Sequence, residues 1–205
     1  MRGMSDAFGI AAPVPQLRTQ RLLLRGWLAA DLAPFAALNA DPEVATFLSA
    51  PLSPDESDAL AGRIADHWRR DGFGLWAVER PADGAFLGFT GLSIPAWAPD
   101  PSTEVGWRFA RSAWGHGYAT EAAEAAVRFG FEVMDLAEIV SYTTTANERS
   151  RRLMERLGMT RDPGRDFEHP RLPAGHPLRP HVTYRLARHV WAARTAGLAG
   201  TRQTG

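Results

Sequence analysis

Residues 103–122 constrain the fold most, because they place a strand, a glycine-containing turn and a helix in direct succession. The stretch TEVGWRFA (103–110) alternates apolar and polar residues, as a half-buried strand does. Its two faces carry different triplets: Val105, Trp107 and Phe109 on one, and Glu104, Gly106 and Arg108 on the other. WGHGYATEA (114–122) then sets two glycines ahead of an alanine- and glutamate-rich helical stretch. This strand–turn–helix unit in mid-chain predicts a mixed domain of strands and helices.

The glycine turn has two interpretations, a plain loop or a backbone cradle for phosphate. A helix N-terminus exposes unpaired N–H groups, and glycines at 115 and 117 would let an anion approach the backbone. The turn is not a dinucleotide fingerprint, since the third glycine of that motif would fall at position 120, which is Thr. Glu121 and Glu124 in the first helical turn would repel phosphate unless they point to solvent, and their place on a polar stripe predicts that they do.

The remaining elements follow from local signals. A capped helix N-terminus is predicted at Ser53, Pro54 and Glu56, and this helix is predicted to end at Gly72. Asp83-Gly84 predicts a hairpin turn. The other predicted elements, in chain order, are a strand at 21–27, helix 31–41, hairpin strands 74–80 and 85–94, helix 118–134 with Val133 on its packed side, strand 138–145, a helix capped by Asn147 and stopped by Gly158, and a strand at 181–187.

Composition excludes several classes of site. The chain has no cysteine, so it has neither a disulfide framework nor a thiolate site, which fits a cytoplasmic location. All 23 basic residues are arginine, and without lysine neither a P-loop nor a pyridoxal Schiff base can form. The 23 acidic residues cancel the basic ones, so we expect neither nucleic acid nor a membrane as partner. The sequence leaves a homodimer open.

The chain is predicted to be one domain with two tails. Residues 1–16 and 192–205 lack a hydrophobic pattern and are interpreted as flexible tails around a domain at 17–191. The first residues make a poor secretory signal, because the short apolar run is interrupted by Asp6.

Two motifs in order resemble the GNAT N-acetyltransferase superfamily. WGHGYATEA is followed some 25 residues later by a run from Asn147 through Ser150 to MERLGM at 154–159. The opening TQRLLLR (19–25) is similar to the first strand of the RimJ/RimL branch, the ribosomal-protein N-terminal acetyltransferases. The resemblance covers about residues 17–190. It implies an α+β fold in which helices flank a twisted, mostly antiparallel sheet with splayed central strands.

The resemblance also implies a binding site for acetyl-CoA. The family's pyrophosphate loop, Arg/Gln-x-x-Gly-x-Gly/Ala, maps its last two positions onto Gly117 and Ala119, with Trp114 at the first. Strand 103–110 would pair with the pantetheine arm. The implied coenzyme-binding residues are Trp107, Phe109, Trp114, Gly115, His116, Gly117, Tyr118, Ala119, Thr120, Asn147 and Ser150.

Two residues are the catalytic candidates. Glu104 lies on the strand that the resemblance places beside the thioester and would act as general base, directly or through water. Its alternative is a solvated strand carboxylate. Ser150 matches the family's serine near the coenzyme sulfur, and its alternative is a serine that hydrogen-bonds the backbone of its own helix. Asn147 likewise has two interpretations, as a helix cap or as a contact with the pantetheine amide. His116 is expected to stack or to face water.

A late group of histidines does not predict a metal site. His169, His176, His181 and His189 are separated by seven, five and eight residues through a proline-rich segment, unlike the compact spacing of metal ligands. We expect no metal, and we interpret Asp166, His169 and His181 as lining or covering the acceptor pocket. Trp97 and Trp114 are expected in the core or at its rim.

Together these features predict an enzyme that transfers acetyl from acetyl-CoA to a primary amine, either a protein N-terminus or a small molecule. One alternative is a module of the same fold that binds acyl-CoA without turnover. Another is a phosphate- or nucleotide-binding domain of a different fold.

Overall fold

A computed structural model describes residues 14–201 of the chain. Its strands form a mixed, mostly antiparallel sheet, and five α-helices lie among the described residues. The chain divides into two compact units, residues up to Ser93 with Val105–Ala126, and Ile94–Glu104 with Val127 onward. The predicted mixed fold is therefore confirmed, and each unit is described by itself below.

The first unit is built on five strands in sequential order. The strands are β1 (Leu17–Arg18), β2 (Leu23–Arg25), β3 (Leu75–Arg80), β4 (Ala85–Ser93) and most of β5 (Glu104–Phe109). β1 to β4 pair antiparallel with their neighbours, with an irregularity between Val78 and Glu79. Gly88 of β4 lies against β5, where a Cβ would be 2.2 Å from the backbone oxygen of Arg108. Only glycine allows that approach.

Three of the described α-helices belong wholly or partly to the first unit. They are α1 (Leu32–Ala40), α2 (Pro54–Asp71) and the start of α3 (Tyr118–Glu132). The ends of α2 are those predicted: Ser53 and Glu56 make a reciprocal capping box, and Gly72 closes the helix at φ 74°. The buried aromatic core of this unit includes Trp27, Phe35, Trp68 and Trp76.

The second unit centres on β9 (Pro180–Ala187). β9 pairs antiparallel with β6 (Glu138–Thr144), β7 (Thr160–Arg161) and β8 (Phe167–Glu168). Glu104, the first residue of β5, is in parallel register with Val140 of β6. Helix α4 (Glu148–Arg156) follows Asn147, and Gly158 beyond its end has φ 84°. Ile139, Val140, Met154 and Leu186 are fully buried here.

The end of α3 and the last helix differ from the sequence prediction. Val133, predicted on the packed side, is 67% exposed, because α3 ends at Glu132 and the chain turns away. Helix α5 (Arg188–Thr201) includes part of the segment predicted as a tail, and Trp191 packs on Phe131 with ring centroids 5.1 Å apart. The flexibility of 1–16 and 192–205 stays a prediction, and 1–13 and 202–205 lie outside the described residues. Within residues 14–201, no helix is both long and apolar enough to cross a bilayer.

Candidate functional site

The turn between β5 and α3 exposes its backbone. Gly115 and Gly117 adopt φ 81° and 79°, in the left-handed region that favours glycine. Both glycines and His116 are exposed. The indole N–H of Trp114 donates to the backbone oxygen of Phe109 at 3.0 Å, which fixes the entry of the turn onto the end of the strand. The turn is thus anchored on one side and open on the other.

Helix α3 begins directly at this turn. The backbone N–H of Glu121 donates to the oxygen of Gly117 at 3.1 Å, closing the first helical turn. The N–H groups before Glu121 have no partner within an α-helix, and the helix dipole adds partial positive charge there. An anion could therefore bind at this end through backbone groups alone.

Glu121 does not point to solvent, contrary to the sequence prediction. Its carboxylate accepts hydrogen bonds from the Thr19 hydroxyl at 2.6 Å, from the Arg21 backbone N–H at 2.8 Å and from the Arg21 guanidinium at 2.7 Å. Burial raises the pKa of Glu121, but these hydrogen bonds outweigh it and the pKa is lowered. The negative charge that would repel phosphate is therefore paired with Arg21.

Arg21 also holds the glycine turn, a role that the sequence did not reveal. Its Nη1 donates to the backbone oxygen of His116 at 2.9 Å, and its guanidinium lies 4.7 Å from the centre of the Tyr118 ring. The rings of His116 and Tyr118 are stacked with centroids 5.4 Å apart. Arg21 is nearly a hundred residues from the turn in sequence, so no local pattern indicates this contact.

The other predicted coenzyme-binding residues of the first unit lie next to the turn in the chain. Phe109 is 5% exposed and belongs to the core, while Trp107 and Trp114 are half-buried. Ala119 and Thr120, in the first turn of α3, are half-buried as well. A Cβ at Gly106 would meet no heavy atom within 4 Å, so the space on that side of its backbone is open among the described residues.

Glu104 lies in the second unit and is strongly desolvated. Its carboxylate accepts a hydrogen bond from the backbone N–H of Tyr142, which lowers its pKa, but burial outweighs this and raises the pKa to about 8. The alternative interpretation of Glu104, a solvated strand carboxylate, does not agree with this desolvation. A carboxyl group with this pKa can hold or release a proton near neutral pH.

Asn147 and Ser150 contact each other at the start of α4. The Asn147 side-chain oxygen accepts from the Ser150 N–H at 3.2 Å, so Asn147 is a helix cap. Its Nδ2 donates to the Ser150 hydroxyl oxygen at 3.1 Å and to Thr143 Oγ1 at 3.0 Å. Because the Ser150 oxygen accepts here, its hydroxyl proton can be donated elsewhere.

Two of the late histidines pack together in an aromatic cluster of the second unit. The His169 and His181 rings are 4.9 Å apart, and Trp97 lies 4.6 Å from His169. Burial lowers the pKa of both imidazoles. Asp166 instead accepts from the backbone N–H of Thr183 at 3.0 Å. In residues 14–201, no three His, Cys, Asp or Glu side chains converge as a metal site would require.

Comparison with known proteins identifies the fold family. The model of the acetyltransferase (GNAT) domain matches residues 21–160, more than half of the 205 residues. The chain belongs to the GNAT acetyltransferase family. An uncharacterized Bacillus subtilis protein, YkkB, is 31% identical over 145 residues, covering 70% of this chain and 84% of that one.

Two further proteins are similar to this chain. The crystal structure of an acetyltransferase from Agrobacterium tumefaciens is 28% identical with a TM-score of 0.71, over 85% of this chain and 95% of that one. The FsC-acetyl coenzyme A-N(2)-transacetylase of Aspergillus fumigatus is 38% identical over 95 residues, 43% of this chain and 40% of that protein. GNAT acetyltransferases use acetyl-CoA, and the glycine turn and the Asn147–Ser150 pair both lie within the matched range.

Proposed function

We propose that this GNAT protein transfers the acetyl group of acetyl-CoA to the nitrogen of a primary amine. The observation that carries the proposal is the exposed turn with Gly115 and Gly117 at the N-terminus of α3, where the carboxylate of the first helical turn, Glu121, is already paired with Arg21. A turn of this kind can bind a diphosphate without lysine, which the chain lacks.

The turn would bind the pyrophosphate of the coenzyme. Backbone N–H groups of residues 115–120 are the proposed donors, with Trp114 anchoring the turn and the His116–Tyr118 stack beside it. Trp107 and Phe109 belong to the strand that, by resemblance to the family, would pair with the pantetheine arm. Asn147 would contact a pantetheine amide while still capping α4.

Glu104 would be the general base. Acetyl transfer requires a neutral amine, and an ammonium must lose its proton before it attacks the thioester. With a pKa of about 8, Glu104 is mostly protonated at neutral pH and ionises in the range where an α-amine, at about 8, is also deprotonated. We therefore propose that Glu104 receives the proton from the amine, directly or through water.

Ser150 would be the proton donor to the departing thiolate. Asn147 donates to its oxygen and so fixes the hydroxyl while leaving its proton for another acceptor. This role is that of a general acid, which typically contributes about 10²-fold or more to a rate.

The acceptor is proposed at the level of a primary amine. The RimJ/RimL resemblance favours a protein N-terminal α-amine, whose pKa near 8 makes deprotonation easier than for a lysine side chain at about 10.4. The zero net charge gives no long-range attraction to a ribosomal surface, so a small-molecule amine remains an equal candidate.

Two substitutions test the catalytic roles. Glu104→Gln and Ser150→Ala are expected to lower kcat about 10²-fold each, because each removes one proton transfer, and to leave the Kd for acetyl-CoA within about two-fold. Thiol release with an amine panel measures transfer, and isothermal calorimetry measures binding. Glu132→Gln and Ser112→Ala, which change exposed residues of the same types, are the matched controls.

Two results would count against this proposal in different ways. If both catalytic variants transferred acetyl normally, the roles of Glu104 and Ser150 would be wrong. If the wild-type protein bound acetyl-CoA tightly but acetylated no amine of the panel, it would be a binding module without turnover.

A further inference from the structure

Arg108 of β5 occupies an unusual environment in the first unit. Its Nη1 donates to the side-chain oxygen of Asn39 at 2.5 Å, and its guanidinium carbon lies 5.5 Å from the centre of the Phe89 ring. Asn39 is fully buried and donates in turn to the hydroxyl of Ser57, also fully buried, at 2.9 Å. The guanidinium of Arg108 is thus oriented by its hydrogen bond to Asn39. Asn39 is in turn fixed by Ser57, and neither of these two residues is exposed to water.

No carboxylate balances the charge of Arg108. Among residues 14–201, none lies within ion-pair distance of its guanidinium, and its Nε and Nη2 have no hydrogen-bond acceptor there. Arg108 is half-buried, so these donors are neither matched by protein groups nor fully hydrated. A desolvated charge without a partner is costly, which is why buried arginines are normally paired.

Arg25 shows how the same unit treats a structural arginine. Its guanidinium makes two hydrogen bonds to Asp31, at 2.7 and 2.9 Å, and one to Glu79 at 2.6 Å. Burial lowers the pKa of Arg25, yet these carboxylates outweigh it and raise the pKa. For Arg108, burial acts alone and lowers the pKa to about 10, so the side chain remains charged at neutral pH.

There is also space beside Arg108 on its face of the strand. Residues alternate between the two faces of a strand, so Gly106 shares a face with Arg108. A Cβ at Gly106 would meet no heavy atom within 4 Å. The fork formed by Nε and Nη2 matches the two oxygens of a carboxylate, an arrangement that lysine cannot offer.

We propose that Arg108 binds a carboxylate of the acceptor, so that the acceptor of this enzyme is an amine that also carries a carboxylate. This inference rests on the proposed acetyl transfer and narrows its substrate class. Arg108 is then a specificity-determining residue, and Asn39 is the residue that positions it. A phosphate of the coenzyme offers similar anionic oxygens, and the test separates the two sources.

The test compares amino acids with their own amides as acceptors. The panel runs from glycine to 8-aminooctanoate, each beside the matching amide, so that only the carboxylate differs within a pair. We expect the wild-type protein to prefer at least one carboxylate over its amide by about ten-fold or more in kcat/KM, the size of a charge-assisted hydrogen bond. In Arg108→Gln that ratio should fall below about two-fold, while kcat/KM for the amide and the Kd for acetyl-CoA change by less than about two-fold.

Two further variants control for folding and for charge. Arg63→Gln removes an exposed arginine of α2 in the same unit and should leave the ratio unchanged. Arg108→Lys keeps the charge without the fork and should keep part of the preference. If Arg108→Gln does not fold, the acceptor ratio of Arg108→Lys decides whether Arg108 binds the carboxylate.

The outcomes that overturn the inference are distinct. A wild-type protein that acetylates amides as well as amino acids would refute it, as would a preference that survives in Arg108→Gln. A raised Kd for acetyl-CoA with an unchanged acceptor ratio would assign Arg108 to a coenzyme phosphate instead. If the wild-type protein acetylated no amine at all, the proposed function itself would fail, and this inference with it.

Discussion

At the scale of single residues, burial moves two charged groups of β5 toward neutrality. Desolvation raises the pKa of Glu104 to about 8 and lowers that of Arg108 to about 10. Both shifts have the sign expected when a charged form loses its hydration. Groups shifted in this way are frequent at functional sites, which agrees with the roles proposed for these two residues on the basis of their position and contacts.

The shift of Glu104 predicts a pH dependence of stability. The folded protein binds a proton at Glu104 between about pH 4.5 and 8, where the unfolded chain has lost it, so this contribution to stability is lost as the pH rises toward 8. Glu104→Gln carries no such proton. Urea unfolding should therefore show the stability of wild type relative to Glu104→Gln falling from pH 4.5 to 8 and levelling off above.

The exposed Glu132→Gln is the control for this measurement, and its difference from wild type should show no comparable fall. A wild-type minus Glu104→Gln difference that stayed constant from pH 4.5 to 8 would mean that Glu104 ionises as an ordinary carboxylate. Its proposed role as a base with a raised pKa would then be wrong.

The sequence indicated which residues are functional candidates better than it indicated which residues they contact. It singled out the glycines at 115 and 117 by their spacing, which is a local pattern, and Glu104 by the family resemblance of its strand. It misplaced Glu121 in solvent, because Thr19 and Arg21 reach it from a hundred residues away. The charge state of Glu104 was likewise not predictable, since it depends on how tertiary packing excludes water.

At the scale of elements, local signals set the long helices and tertiary pairing sets the short strands. The bounds of α2 followed from the Ser53–Glu56 box and Gly72. The two-residue strands β7 and β8 escaped prediction, because they exist only through pairing with β9. A strand this short has no periodicity of its own to detect.

The glycine turn is the element whose conformation bears most directly on coenzyme binding. In Gly117→Ala, a Cβ would lie no closer than 3.5 Å to Arg21, so the cost comes from the backbone at φ 79° and should be about 1 kcal/mol. We expect the unfolding free energy to fall by that amount. We also expect the Kd for acetyl-CoA to rise by about ten-fold or more, because the relaxed turn no longer aims its N–H groups together.

Gly84→Ala is the matched control, since Gly84 lies in the hairpin turn at φ 69° with open space around it. It should lose a similar amount of stability without a change in the Kd for acetyl-CoA. Equal affinities for the two variants, measured by calorimetry, would show that the turn before α3 does not bind the coenzyme.

At the scale of the whole molecule, family membership establishes the fold. The identity of the acceptor depends instead on residues that are specific to this chain. The zero net charge predicts no general attraction to nucleic acid or to anionic membranes. A cytoplasmic location stays a prediction, and a homodimer stays open. Membership of the RimJ/RimL branch also stays a prediction. The carboxylate preference proposed for Arg108 would favour a small amino acid as the acceptor over a protein N-terminus.

The most direct test of coenzyme A binding by this protein is thermal unfolding of the purified chain with acetyl-CoA, CoA, ATP and NAD in turn. A ligand at about 100 times its Kd adds ~2.7 kcal/mol to stability, which corresponds to several degrees in Tm for a chain of this size. If the glycine turn binds the coenzyme, the Tm rises in this way with acetyl-CoA and with CoA, and does not rise with NAD. A rise with ATP or NAD and no change with either form of coenzyme A would contradict coenzyme binding.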